Sequence, residues 1–336
     1  MVPGGMRTLN IVVVRPAGEG VFRHSMLHDE LARRLVLACQ DGAEQSGAEQ
    51  SGAQQSVAVR TSRELCGLDA ESLAEATLLV VSPFECVATS GDRLAFVSAL
   101  ASARRRILAS VEPVGSPWYE KQFLFPLGFD AVFDVGFISR EDEHRLPEVA
   151  YHFVFNGPTK DEEQTISSLA PPQERPIRWA LVGYPTTQRL ELAARLTEEL
   201  DPGGFVFMPG KPSRPNPDGS PGPPQPLARH EKLSPSGLGA VLSKSSYYVW
   251  TQTHNFRHYE SLRFVVALRS GAVPCKVADS DTSKNLSEIP GTFPSVESFC
   301  SEVQEVGATA MYRLARDFYL SKGPLAAHLE EALELV

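Results

Sequence analysis

The 336-residue chain lacks several things, and each absence excludes a class. No apolar run approaches the roughly 18 residues a membrane-spanning helix needs, so no membrane span is expected. Positive charge is not in excess: 32 Lys and Arg stand against 41 Asp and Glu, a formal charge of −9. A non-specific nucleic-acid binder is normally basic, so nucleic acid is not an expected partner. Cysteine is sparse. The five residues, Cys39, Cys66, Cys86, Cys275 and Cys300, lie far apart without a C-x-x-C pair, which argues against a disulfide framework or a zinc knuckle. The segment Met1–Asn10 has one arginine and no apolar core, unlike a secretory signal. Neither glycine-bearing loop spells G-x-G-x-x-G: Arg15-Pro-Ala-Gly-Glu-Gly20 and Gly183-Tyr-Pro-Thr-Thr-Gln188 both fail, which disfavours a dinucleotide-dependent oxidoreductase. The expectation is a cytoplasmic α/β protein long enough to hold two domains.

What is present supports two α/β series. Leu9-Asn-Ile-Val-Val-Val14 and Leu78-Leu-Val-Val-Ser82 are continuous apolar runs of the kind found in buried parallel strands. Val57–Arg60, Arg106–Val111 and Phe129–Val135 read as further strands, with helical spacing over Ser25–Ala38 and Arg93–Arg105. The pentapeptides Gly42-Ala-Glu-Gln-Ser, Gly47-Ala-Glu-Gln-Ser and Gly52-Ala-Gln-Gln-Ser have too little apolar area for a core and read as a loop. A polar, proline-rich linker (157–176) precedes the second series. There, strands are expected at Ile177–Val182, Gly204–Met208, Ser246–Trp250 and Ala272–Val277. Helices are expected at Thr187–Leu200, Gly237–Lys244, Ser261–Arg269, Ser295–Val306, Thr309–Tyr319 and Leu325–Leu335. The proline-dense stretch Lys211–Pro235 offers no apolar pattern and reads as a loop or insert. The reading is two Rossmann-like domains, 7–160 and 176–322, facing across a cleft, with 323–336 a terminal helix able to pack back on the first.

Two arginines carry the chemistry. Arg263 falls in the first turn of a helix that is apolar nearly all round, and Gly271 suits the left-handed position after its end. Arg189 falls in the first turn of the helix after Val182-Gly-Tyr-Pro-Thr, where Gly183 permits close backbone approach and Thr186 and Thr187 offer hydroxyls and capping. A cation opposes the helix dipole at that end, so each needs a partner: a neighbouring carboxylate such as Glu260, or a bound phosphate.

The segment Glu260-Ser-Leu-Arg-Phe-Val-Val-Ala-Leu-Arg-Ser-Gly-Ala-Val-Pro274 resembles the donor-binding stretch of GT-B glycosyltransferases, closest to the exostosin-like, family 1-like form S-x-R-[FL]-x-E-A-L-x-x-G-x-[IV]-P-V. Ser261, Arg263, Phe264, Ala267, Leu268, Gly271, Val273 and Pro274 match it. The motif's glutamate, which commonly holds the donor ribose, falls on Val266, and Lys276 stands where valine is frequent. The resemblance implies a GT-B-like fold and a metal-independent transferase, retaining or inverting. It would use a nucleotide-diphospho-sugar as co-substrate and no other cofactor, with the donor on the second domain, 176–322, and the acceptor on the first, 7–160. The donor diphosphate would be met by Gly183, Thr186, Thr187, Arg189, Arg257, Ser261 and Arg263, and the sugar by His254 and Asn255. The acceptor is open: glycan, lipid-linked glycan, protein or small metabolite. The departure at Val266 keeps a second reading, a glycan- or partner-binding protein without turnover.

A base, where one is needed, is expected from the first domain. His24, in the first strand–helix loop, is the candidate because imidazole titrates near neutral pH. His28 lies on the helix and suits less well. Glu112, at a strand end, is another cleft-facing candidate, and Glu260 could reach the donor sugar from its loop. Asp279-Ser-Asp281 reads as a solvated turn. The cluster Trp118-Tyr119 with Phe123–Pro126 reads as core or as a sugar-stacking face.

Overall fold

The computed structural model describes residues 10–18, 26–45, 56–123, 127–173, 175–208, 233–251, 258–277 and 286–336, the side chains of 26, 27, 44 and 45 aside. The chain forms two units: Met1–Asp161 with Lys322–Val336, and Glu162–Ser321. Residues 162–175, expected as linker, belong to the second unit, and Lys322 belongs to the first.

Unit 1 is built on β1 (Asn10–Arg15), α1 (Met26–Gln45), β2 (Ser56–Thr61), α2 (Ser62–Leu65), α3 (Ala70–Ala74), β3 (Ala76–Val81), α4 (Pro83–Thr89), α5 (Arg93–Ser102), β4 (Arg105–Ser110), α6 (Pro117–Lys121), β5 (Ala131–Gly136) and β6 (Ala150–Phe155). Its strands pair parallel in the order β2-β1-β3-β4-β5-β6. The apolar runs of β1, β3 and β4 are buried on both faces, as a doubly covered sheet requires. Val12, Val14, Leu78, Val80, Leu108 and Val132 pack with Leu65, Phe96 and Leu100 in one core. Tyr119 joins that core and Phe123 packs against it, while Trp118 stays half-buried. Helix α1 runs on to Gln45, inside the first pentapeptide. Residues 46–55, which hold the other copies, lie outside the described residues.

Helix α7 (Lys160–Ser168) replaces part of the expected linker. Its Glu162, buried, meets Arg269 at 3.4 Å. Unit 2 continues with β7 (Ile177–Val182), α8 (Thr187–Glu199), β8 (Phe205–Phe207), α9 (Pro235–Leu242), β9 (Ser245–Trp250), α10 (Ser261–Arg269), β10 (Val273–Val277), β11 (Thr292–Phe293), α11 (Val296–Glu305) and α12 (Gly307–Ser321). Its parallel sheet has the order β11-β10-β9-β7-β8. Gly271 adopts φ 73° after α10, and Ala272 N–H returns to the Ala267 carbonyl at 2.9 Å, a left-handed helix stop.

The last helix, α13 (Leu325–Glu334), belongs to unit 1, where it packs on α1 and β6 and buries Leu325, Ala326, Leu329 and Ala332. In both sheets the chain reverses its direction of progress beside the first strand. Unit 1 has its switch point between β1 and β3, and unit 2 between β7 and β9. Open α/β sheets take ligands there, at the carboxyl ends of the strands.

Candidate functional site

The unit 2 switch point is where Arg189 and Arg263 arrive. Thr186 caps α8, its hydroxyl accepting from Arg189 N–H at 3.3 Å, so the early-turn position of Arg189 is fixed. The Arg189 side chain turns back over the β7–α8 loop and is only 3% exposed. Its Nη1 donates to the Tyr184 carbonyl at 3.2 Å. Arg263 crosses from α10 to the end of β7, donating from Nη1 to the Val182 carbonyl at 3.0 Å and to the Tyr248 hydroxyl on β9. Its guanidinium lies 5.9 Å from the Tyr248 ring centre. The two guanidinium groups are thus held by main-chain carbonyls two residues apart.

That arrangement works against itself electrostatically. Burial, followed by the Arg263 charge, lowers Arg189 from its ordinary value of 12.5 to about 10, against the opposing pull of Glu260. Arg189 remains charged at neutral pH, in a place where a fixed anion would be favourable.

Gly183 has a definite part in this. A Cβ there would stand 2.7 Å from Arg189 Nη1 and 2.9 Å from its Cζ. The space the sequence reading left for a ligand is taken by the guanidinium. Gly183→Ala therefore displaces a flexible side-chain end rather than backbone. It is expected to change stability by less than about 1 kcal/mol while weakening a phosphate ligand by roughly tenfold, measured by titration calorimetry. Unchanged affinity would mean the position of Arg189 does not matter to binding.

Glu260 precedes α10 without capping it through its side chain. Its Oε2 accepts from Lys276 Nζ at 2.7 Å and from Trp250 Nε1 at 3.1 Å. Lys276 is fully buried and also reaches the His258 carbonyl. Burial works to raise the Glu260 carboxyl, but Lys276, His258 and Arg263 outweigh it and hold it well below the usual carboxylate range. Such a carboxylate is a poor proton acceptor; it is a fixed anion that anchors the loop before α10. Lys276, on β10 just past the motif segment, is its counter-ion. Ser261 is buried at the start of α10, Thr187 is exposed at the start of α8, and Val266 is half-buried.

At the switch point of unit 1, three side chains meet that sequence reading did not connect. His28 is 8% exposed on the first turn of α1, with Nε2 3.3 Å from Glu112 Oε1 and Nδ1 3.6 Å from Glu85 Oε2. Glu85 comes from α4 after β3, and Glu112 from the loop after β4. Burial would lower the imidazole, but bonds and charge from Glu112 and Glu85 outweigh it and push it up to about 10. His28 is an imidazolium at neutral pH, so it is not the neutral histidine that a general base requires. Adjacent strand ends, β1, β3 and β4, bring the three together, and only the strand order could have revealed it.

His24 lies in 19–25, His254, Asn255 and Arg257 in 252–257, and Asp279–Asp281 in 278–285, all outside the described residues. Among the described residues no group of His, Cys, Asp and Glu is arranged to hold a metal, and no helix is long and apolar enough to cross a membrane. A cavity of about 490 Å³ between β6 and α13, lined by Tyr151, His152, Phe155, Lys322, His328 and Glu331, lies at the sheet edge away from the β1–β3 switch point.

The class defined by these two parallel sheets is α/β with two Rossmann-like units. No family model matches the chain. No curated protein matches it. Among solved structures it is similar to the crystal structure of an α1,3-fucosyltransferase, at 11% identity over 98% of this chain and 83% of that chain, with a TM-score of 0.36.

Proposed function

We propose that the protein is a glycosyltransferase that moves a sugar from a nucleotide-diphospho-sugar to an acceptor. The donor diphosphate lies at the β7/β9 switch point against Arg189 and Arg263. The observation that carries this reading is that two guanidinium groups are held on the last carbonyl of β7 (Val182) and on the Tyr184 carbonyl of the loop that follows it, beside Tyr248, despite their mutual repulsion. A diphosphate adds negative charge beyond that of Glu260 to a place where two cations repel, and the same cations stabilise the leaving group as its charge develops. With arginines in that role, transfer proceeds without a metal, and the motif Ser261–Pro274 favours retention at the anomeric carbon. The second reading, sugar-nucleotide binding without turnover, draws on Val266 in place of the motif's glutamate and on the capture of Glu260 by Lys276.

Thermal shift with UDP, GDP, dTDP and ADP tests the donor site. A nucleotide at 100 times its dissociation constant stabilises the fold by about 2.7 kcal/mol. One of the four is expected to do so, and Arg263→Ala is expected to cancel the shift with little loss of basal stability. No shift with any nucleotide, or an unchanged shift in that variant, removes the donor site. Hydrolysis of the matching sugar nucleotide then separates transfer from binding alone.

A further inference from the structure

The sheet of unit 1 ends at β6, whose strand partner is β5. Ala150 and Asn156 N–H donate to the Asp130 and Gly136 carbonyls at 3.3 and 2.8 Å. The parallel register between them turns the even-numbered residues of β6 toward β5, and the main-chain groups of Tyr151 and Phe153 toward the outer edge. Such an edge offers bare carbonyl and amide groups, which a fold normally covers. Helix α13 packs on β6, yet a cavity of about 490 Å³ remains between them, the size of a small-molecule pocket.

The lining has the chemistry of a cation site. Tyr151, Phe153 and Phe155 supply aromatic rings, and the His328 ring lies 5.6 Å from that of Phe155. Aromatic faces attract organic cations. The charged residues of the lining are Glu141, Glu331 and Lys322, two carboxylates against one ammonium. Their neighbours add acid: Asp142 and Glu143 follow Glu141, and Glu330 and Glu334 stand beside Glu331 on α13. Of the nearby arginines, Arg140 is buried in its pair with Asp134, and Arg145 donates from Nη1 to the Asp142 carbonyl at 2.7 Å. His328 donates from Nε2 to the Lys322 carbonyl at 2.8 Å. Burial lowers His152 from its ordinary value of 6.5, against the pull of Glu141, so it is neutral at pH 8. Its Nε2 is buried and has no hydrogen-bond partner among the described residues. Such a nitrogen in a cavity wall calls for a ligand or a water.

We propose that this cavity binds a small primary amine in its ammonium form, carried on an apolar body. Glu141 and Glu331 are its counter-charges, the Tyr151 and Phe153 carbonyls accept from its N–H groups, and the aromatic rings surround the apolar part. The site stands on unit 1 alone and does not rest on the sugar-transfer reading. Because α13 forms one wall, the occupant also holds that helix on β6.

Titration calorimetry and saturation-transfer NMR on the full chain at pH 8 test it. The probe is 2-phenylethylamine, with 2-phenylethanol as its neutral counterpart and phenylacetate as its anionic one. The amine is expected to bind with a dissociation constant of about 1 mM or below, and the alcohol and the acid about tenfold more weakly. Glu141→Gln and Glu331→Gln, both at exposed positions, are each expected to weaken the amine about threefold, and the double variant about tenfold, with the melting temperature unchanged. Hydrogen exchange slows in α13 when the amine is bound, and not in α10. The nucleotide shift of these variants stays that of the unaltered protein. The proposal is overturned if the amine does not bind, if phenylacetate binds as tightly, or if the double variant binds the amine as before. A lost nucleotide shift with amine binding intact sinks the donor reading and leaves this cavity standing.

Discussion

Arg189→Met is expected to make the protein more stable and unable to hold a nucleoside diphosphate. The buried guanidinium is lowered to about 10 by burial and by Arg263. At about 1.4 kcal/mol per pKa unit, keeping it charged costs the fold on the order of 3 kcal/mol at neutral pH. The sign follows from the direction of the change: a cation whose folded value is depressed destabilises the fold at every pH below that value. Methionine fills a similar volume without the charge. For a unit of this size a gain of that order raises the melting temperature by roughly 5–10 °C, while the lost charge-assisted bonds weaken a diphosphate by on the order of 100-fold. Scanning calorimetry and nucleotide titration read the two effects separately. If the variant melts lower, Arg189 is a structural clamp on the Tyr184 carbonyl and not a charge held for a ligand.

The second large effect concerns His28. His28→Ala leaves the Glu85 and Glu112 carboxylates facing each other across a vacated site, and removing one partner of a buried ion pair costs about 3–5 kcal/mol. The pH dependence has a definite sign. The folded value of His28, about 10, lies above its ordinary value of 6.5. The stability it contributes is therefore complete below about pH 6.5, declines from there, and is gone above about pH 10. Melting temperature measured from pH 6 to 10 is expected to fall for the unaltered protein and to stay flatter for His28→Asn. Parallel curves for the two would show that His28 is not the titrating group.

The elements that were legible in the sequence share one physical property: a single strong periodicity. The runs Ile11–Val14 of β1, Leu78–Val81 of β3 and Trp179–Val182 of β7 are apolar without interruption because both faces are covered, and α10 is bounded by its own apolar pattern and by Gly271. Strand β6 was not legible. Its residues Tyr151 to Phe153 are half-buried, Ala150 is exposed and only Val154 and Phe155 are buried, so no clear pattern shows, and it is the parallel ladder with β5 that places it, with the Tyr151 hydroxyl bonded to Asp134, itself paired with Arg140. The short helices α2 to α4 and α6 are too brief to show a period. At the sites, Arg189 and Arg263 were legible because each opens a helix after a strand. The His28 cluster was not, since its members come from three strands adjacent only in the folded order.

The placement of α13 on α1 and β6 has a consequence for how the molecule is made. Residues 162–321 form an uninterrupted stretch and can close their own sheet as soon as they have left the ribosome. The earlier-synthesised unit must wait with part of its apolar surface bare until residues 322–336 emerge and dock. During that interval the nascent chain exposes the seat of Leu325, Leu329 and Ala332 on α1 and β6, an apolar surface of the kind chaperones hold.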